Sequence, residues 1–176
     1  EGATSISVIG HSRGGNQTAW YAAEQAHANV KKVVLVAPAT WSAKAQAEGY
    51  QKRYGRDLNT VVAKAKAMAD SGQGDGMMTA TGFVYCTNAE VTANSFLSYY
   101  LPDERRNTPS LLLKITLPTL VVAGSEDKVV TGLAEQLENK SPGDHVRLES
   151  VDGAGHFFRD LYGEDLSDLI VEFLEN

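Results

Sequence analysis

The chain has 176 residues, of which 43% are hydrophobic, and this fits one globular domain and argues against intrinsic disorder. The net charge of -6 and the scattered basic residues argue against a nucleic-acid partner, because such partners require a basic face. No apolar run approaches about 18 residues, so we expect no membrane span. The single cysteine, Cys86, excludes an internal disulfide and leaves the compartment open, with a soluble cytoplasmic protein slightly favoured.

The first part of the sequence predicts a strand, a helix and a second strand. A β-rich run over Ser5–Ile9 precedes helical character over Gly14–His27, and a second apolar run covers Lys32–Val36. Near-continuous apolar strands that are separated by a helix are typical of a βαβ unit in a parallel sheet buried on both faces. We therefore assign residues 1–38 to an α/β core.

A long insertion is expected over residues 39–116, since this stretch exceeds the length of a plain crossover. Helical patterns cover residues 43–49, 58–70 and 89–100, which predicts a helical cap. Aromatic residues are frequent in this segment, and they favour either a small separate core or the wall of an acyl pocket. Trp41 is our candidate here for contact with a substrate.

The α/β core is predicted to resume over residues 117–176. A strand is expected over residues 117–123, a helix over 131–140, a further strand over 145–151 and a last helix over 161–174. The expected fold class is therefore α/β, with a mostly parallel sheet flanked by helices and interrupted by the cap.

The strongest chemical signal is a Gly-x-Ser-x-Gly pattern centred on Ser12, between a strand and a helix. Such a sharp turn strains the serine backbone, and side chains two residues before and after it would collide with their surroundings, which explains Gly10 and Gly14. The backbone N–H of Arg13 would point at an oxyanion near the helix N-terminus. We expect His11 to pack away from Ser12. The alternative is a glycine-rich turn with a capping serine.

A serine nucleophile needs a base, and His156 is the best candidate among the four histidines. His27 lies at a helix end and His145 at a strand start, which are ordinary surface or capping positions. His156 instead lies in a glycine-rich loop after the last strand, where the loops of a parallel sheet gather beside the nucleophile. Phe157 and Phe158 follow it and could shield the imidazole from water, and Phe157 is also a candidate for substrate contact.

The acid that orients the base is expected directly after the preceding core strand. Asp127 is our choice and Glu126 the second candidate. Asp127 would accept the proton-bearing nitrogen of His156, fix its tautomer and stabilise the imidazolium. The alternative function of Asp127 is a helix-capping carboxylate.

Three segments together resemble the α/β-hydrolase family: Gly-His-Ser-Arg-Gly at 10–14, Gly-Ser-Glu-Asp at 124–127 and Gly-Ala-Gly-His at 153–156. The resemblance implies the fold, a cap at the insertion and a serine triad that needs no metal or organic cofactor. We predict a serine hydrolase that cleaves carboxylic esters of small to medium acyl substrates through an acyl-enzyme. The alternatives are a non-catalytic binding or scaffold domain, or a relative that acts on C–C or thioester bonds or as an acyltransferase.

The sequence departs from the family pattern in the strands that precede the nucleophile. The family sheet has about eight strands with the nucleophile after the fifth, whereas Ser12 follows the first strand of this sequence. The loop that usually supplies the second oxyanion N–H is absent with them. Because the Ser5–Ile9 strand is apolar on both faces, we expect it to pair with another chain, either a missing N-terminal half or a symmetry mate.

Overall fold

The computed structural model describes residues 2–176, which form two compact units. The first unit comprises residues 2–40 and 104–176, and the second comprises Trp41–Asp103. The helices and strands are, in chain order, β1 (Ile6–His11), α1 (Ser12–Glu24), β2 (Val30–Val36), α2 (Ala43–Tyr54), α3 (Leu58–Asp70), β3 (Met77–Phe83), β4 (Cys86–Thr92), α4 (Ala93–Tyr100), α5 (Thr108–Leu112), β5 (Thr119–Gly124), α6 (Leu133–Lys140), β6 (Val146–Val151) and α7 (Tyr162–Glu175).

The first unit is built on a four-stranded sheet in the order β1-β2-β5-β6, in which every neighbouring pair is parallel. Successive side chains of a strand point to opposite faces, and both faces of the central strands are buried. Val33, Leu35 and Val121 pack with α1, α5 and α6 on one face. Val34 and Leu120 pack with α7 on the other. This arrangement confirms the predicted α/β class with its mostly parallel sheet.

The return from the insertion lies earlier than residue 116. Leu111, Leu112 and Ile115 are fully buried in the core of the first unit, so residues 104–116 belong to that unit. Thr108 and the proline that follows it begin α5, and a proline suits the first turn of a helix because its missing N–H has no partner there.

The second unit is not wholly helical, which corrects the expectation of a helical cap. β3 and β4 form an antiparallel hairpin, in which Met78 pairs with Val91 and both side chains are buried. The helix expected over residues 89–100 begins only at residue 93. Thr92 caps it, because the Thr92 hydroxyl accepts the Ser95 N–H at 3.1 Å. The four residues before the helix complete strand β4 instead.

Aromatic side chains form the centre of the second unit. Tyr50 meets Tyr100 edge-on at 5.2 Å between ring centroids, and Phe96 is fully buried beside them. Burial raises the pKa of the Tyr50 and Tyr100 phenols above the ordinary tyrosine value. Tyr50 therefore stays protonated and donates to the Gly82 carbonyl at 3.0 Å.

Within residues 2–176, none of the helices has the length and apolar character needed to cross a bilayer.

Candidate active site

Three of the predicted site residues lie at the same edge of the sheet. Ser12 directly follows β1, Asp127 follows β5, and His156 follows β6. Because all four strands are parallel, these segments leave the sheet at its carboxyl end, where α/β proteins gather their functional loops.

The turn between β1 and α1 holds Ser12 in the left-handed region, with φ of 56°. Non-glycine residues rarely adopt this conformation, and functional sites are where they cluster. A Cβ at Gly10 would lie 2.5 Å from the backbone carbonyl oxygen of Gly14, so Gly10 must be glycine. A Cβ at Gly14 meets nothing within 4 Å among the described residues, whereas one at Gly15 would lie 3.0 Å from the Gly10 carbonyl. The steric need expected at Gly14 is therefore found one residue later.

A hydrogen-bonded chain joins the three side chains. The imidazole Nδ1 of His156 lies 2.8 Å from Asp127 Oδ2, and its Nε2 lies 2.8 Å from Ser12 Oγ. Because a carboxylate only accepts, Nδ1 carries the proton, and the neutral Nε2 accepts the serine hydroxyl. The His156 and Asp127 side chains are 6% and 4% exposed. The arrangement can therefore remove a proton from the half-buried Ser12, through two side chains that are themselves largely closed to water.

The two loops that carry Asp127 and His156 are fitted closely together. Ser125 Oγ accepts the Gly153 N–H at 2.8 Å, and the Glu126 N–H donates to the Ala154 carbonyl at 2.9 Å. A Cβ at Gly124 would lie 2.4 Å from that same carbonyl oxygen. The glycine thus permits a close approach of the two loops, which fixes the separation of their functional side chains.

The two acidic candidates have different surroundings. Asp127 uses Oδ2 for His156, and its Oδ1 accepts the N–H groups of Val129 at 2.7 Å and Val130 at 3.0 Å. Glu126 is exposed. Val129 and Val130 lie in the loop before α6, whose N-cap is Gly132, so Asp127 holds this loop and does not cap a helix.

His11 has a contact that the sequence did not suggest. It does not simply pack away from the site, since its Nε2 lies 2.8 Å from the backbone carbonyl of His156. Phe157 is 63% exposed, with its ring 5.1 Å from the His156 ring, whereas Phe158 is buried in the core and anchors the loop. Trp41 is the first residue of the second unit, and its contact with a substrate stays a prediction.

The remaining residues considered from the sequence have other positions. The backbone of Arg13 lies in the first turn of α1, where helix N–H groups point out of the helix end. His27 is exposed, and its Nδ1 accepts the Asn29 N–H at 3.1 Å. In the part of the chain that the structure describes, there is no group of three or more His, Cys, Asp or Glu side chains suited to a metal ion.

Comparison with protein families gives one match. Residues 1–160 match the model of the serine aminopeptidase family S33, which is nine-tenths of the chain. No curated protein matches the sequence.

Solved structures of the same fold include several hydrolases. Est1E from Butyrivibrio proteoclasticus superposes with a TM-score of 0.57 at 16% identity, over 98% of this chain and 63% of that chain. A monoacylglycerol lipase from Paleococcus ferrophilus gives 0.60 at 18% identity, over 97% and 68%. A meta-cleavage product hydrolase gives 0.55 at 17% identity, over 98% and 66%. The chain thus spans less than two thirds of the length of Est1E, and these identities establish the fold alone.

Proposed function

Since the chain belongs to the serine aminopeptidase S33 family of α/β-hydrolases, we propose that it hydrolyses carboxylic esters of small to medium acyl groups through an acyl-enzyme on Ser12. Family membership supports a hydrolase, and the activity, the ester specificity and the mechanism are our proposal. The observation that carries it is the hydrogen-bonded chain from Ser12 through His156 to Asp127, with both distances at 2.8 Å. This is the arrangement that a serine hydroxyl needs for activation.

The first step is acylation of the serine. Ser12 Oγ attacks the ester carbonyl carbon while its proton moves to His156 Nε2. Asp127 holds the imidazole orientation and stabilises the imidazolium that forms. The tetrahedral intermediate then collapses, the bond to the alkoxide breaks, and His156 returns the proton to the departing alcohol.

Deacylation reverses the roles of the same groups. Water gives a proton to His156 Nε2 and attacks the acyl carbonyl, and the second tetrahedral intermediate expels Ser12, which recovers the proton. Charge develops on the carbonyl oxygen in both steps, and we assign the Arg13 backbone N–H as one donor to it. The position of Arg13 at the start of α1, a helix of 13 residues, supports this assignment because the helix dipole favours negative charge there.

The exposed ring of Phe157 supports an apolar acyl or aryl group as the substrate. It lies beside the proposed base and offers an exposed apolar surface 5.1 Å from the His156 ring centroid. Aromatic rings of this kind are common in small-molecule sites, where a few polar groups provide the orientation. The structural neighbour that is named a monoacylglycerol lipase fits the same choice.

The test is the Ser12→Ala variant, assayed with p-nitrophenyl butyrate and with a fluorophosphonate probe followed by intact mass. Wild type is expected to turn over the ester and to gain one adduct that maps to Ser12, and the variant to lose both while remaining folded. Ser7→Ala is the matched control, since Ser7 is exposed on the strand that leads to the nucleophile. Unchanged hydrolysis in Ser12→Ala would refute the assignment.

The alternatives give different outcomes in the same experiment. A folded wild-type chain with no adduct and no turnover indicates a non-catalytic binding or scaffold domain. Turnover with a product other than the free acid indicates an acyltransferase, and activity only on C–C or thioester substrates indicates a relative with a different reaction.

We propose in addition that β1 pairs with another polypeptide. Within the described residues, β1 is an edge strand paired only with β2. Ile9 is 52% exposed there, and together with Tyr21 of the adjoining helix it lines a cavity of about 580 Å³. Trp20, which is also exposed, lines a second cavity of about 260 Å³ on the same helix. An apolar edge of this kind is a template for strand addition.

A further inference from the structure

The residue before the proposed nucleophile makes a direct hydrogen bond to the proposed base. His11 Nε2 lies 2.8 Å from the backbone oxygen of His156. A carbonyl oxygen can only accept, so Nε2 of His11 carries a proton and donates it to this bond. The two imidazole rings also lie close together, with their centroids 4.8 Å apart.

This bond joins segments that leave the sheet far apart. His11 ends β1 and His156 follows β6, and these strands are the two outer strands of the sheet. Neighbouring strands lie about 4.8 Å apart, so the loop that carries His156 must reach across about 14 Å to meet Ser12. Strand pairing fixes where β1 and β6 end, but it does not fix where the His156 loop lies beyond the end of β6. A contact between β1 and this loop can therefore hold His156 close to Ser12.

The contact gains importance during the proposed reaction. In the free enzyme, two bonds link the end of β1 to His156: Ser12 Oγ donates to the imidazole, and His11 donates to the carbonyl. In the acyl-enzyme, Ser12 Oγ is esterified and has no proton to donate. Among the hydrogen bonds of the described residues, the bond from His11 then still links β1 to the base, while water must be activated at the correct position.

We infer that His11 is a positioning residue that holds His156 in place for deacylation. The inference rests on the proposed function, since it assumes an acyl-enzyme on Ser12. His11 acts through the backbone of its partner and does not touch the reacting atoms. Its removal should slow the second step more than the first, because the serine itself still helps to hold the base during acylation.

Two variants separate the hydrogen bond from the ring contacts. His11→Phe keeps a ring of similar size against His156 and Phe157 and removes the donor. His11→Gln places an amide N–H near the position of the imidazole Nε2 and restores the donor. His11 is exposed, so both variants are expected to fold.

The measurement is steady-state hydrolysis of p-nitrophenyl butyrate, together with the pre-steady-state burst. When deacylation limits turnover, slowing it lowers kcat and KM together and leaves kcat/KM unchanged. We expect His11→Phe to lower kcat about 3- to 10-fold with kcat/KM within about twofold, and His11→Gln to recover most of kcat. The burst amplitude should persist in all three proteins, since acyl-enzyme still forms. A loss of folded protein would instead lower the burst and kcat/KM.

The inference is overturned if His11→Phe leaves kcat unchanged, if kcat and kcat/KM fall equally, or if His11→Gln fails to recover activity. In each of these cases wild type still turns over the ester, and the proposed function stands. A wild type with neither burst nor turnover overturns both the proposed function and this inference. Turnover by the wild-type protein therefore distinguishes failure of the inference about His11 from failure of the proposed function.

Discussion

The backbone of Ser12 illustrates how a single residue is held in an unfavourable conformation. A positive φ in a residue other than glycine costs about 1–3 kcal/mol, which the surroundings must offset. The Ala39 N–H donates to the Ser12 carbonyl at 2.9 Å, and the absence of a side chain at Gly10 allows Thr18 to pack beneath the turn. In this conformation the Ser12 hydroxyl lies at the end of the sheet, within 2.8 Å of His156 Nε2.

Asp127 and Glu126 give a prediction at the same scale. We expect Asp127→Asn to lower kcat about 10⁴-fold, because an amide cannot hold the tautomer of His156 that accepts the serine proton. Glu126→Gln should leave kcat within about twofold, since this side chain is exposed. Ester hydrolysis by the two purified variants is the measurement, with circular dichroism as the check on folding. The opposite ranking would make Glu126 the acid.

The residues of the site differ in how far the sequence could predict them. Ser12 and His156 stand in glycine-rich segments directly after strands, so pattern alone indicates where they lie. The contact of His11 spans 145 positions and depends on where the His156 carbonyl points. No local sequence pattern encodes that direction. From the sequence alone, His11 is therefore expected only to pack away from Ser12. The Gly-x-Ser-x-Gly pattern likewise predicts a close contact at Gly14 and not at Gly15, whose close neighbours Gly10 and Pro38 are not adjacent to it in the chain.

Among the elements, the hairpin of the second unit is the one that the sequence pattern does not predict. The bounds predicted for α3 agree with Leu58–Asp70, because Asp57 is a strong cap and the helix ends at a glycine-rich joint. The turn between β3 and β4 has no such signal. Val84 lies there with φ of 54°, where glycine or asparagine would be expected. Valine is typical of strands and not of turns, so the sequence does not indicate a turn at Val84 or the two strands that it joins.

Helix α1 contains a buried amide that joins the segments on either side of the second unit. Asn16 Nδ2 donates to the Arg105 carbonyl at 3.0 Å and to the Thr108 hydroxyl at 3.2 Å. Thr108 in turn donates to the Ala39 carbonyl at 2.7 Å, and the Ala39 N–H holds the Ser12 carbonyl. The network therefore connects the turn that carries Ser12 with the segments at which the chain leaves and re-enters the first unit.

We predict that Asn16→Ala lowers the free energy of unfolding by about 1–3 kcal/mol, because Asn16 is 6% exposed and the variant leaves buried groups without partners. Gln17→Ala is the control, since Gln17 is the exposed neighbour on the same helix, and its effect should stay within about 0.5 kcal/mol. Urea unfolding of both variants is the measurement. Equal stability of the two proteins would show that the network contributes little.

At the scale of the whole molecule, the main feature is the edge of β1 that pairs with no other strand among the described residues. The central strands β2 and β5 are covered on both faces and paired on both sides, whereas β1 has an apolar exposed edge directly before the nucleophile. Natural proteins protect such edges with charges, bulges or a covering segment. Gly14 lines the cavity along this edge, and its open Cβ direction leaves room for another backbone to approach the nucleophile turn.

If another polypeptide pairs with β1, a charge on that edge should prevent assembly without unfolding the chain. We predict that the wild-type protein sediments above 18.9 kDa, as a complex with a co-purifying chain or a second copy, and that Ile9→Lys sediments at that mass. Val171→Lys is the matched control, because Val171 is 51% exposed, against 52% for Ile9, but lies on α7. Analytical ultracentrifugation with intact mass of the components is the measurement. A wild type that is monomeric, stable and active would contradict the pairing, because an unpaired apolar edge would then be compatible with the working protein.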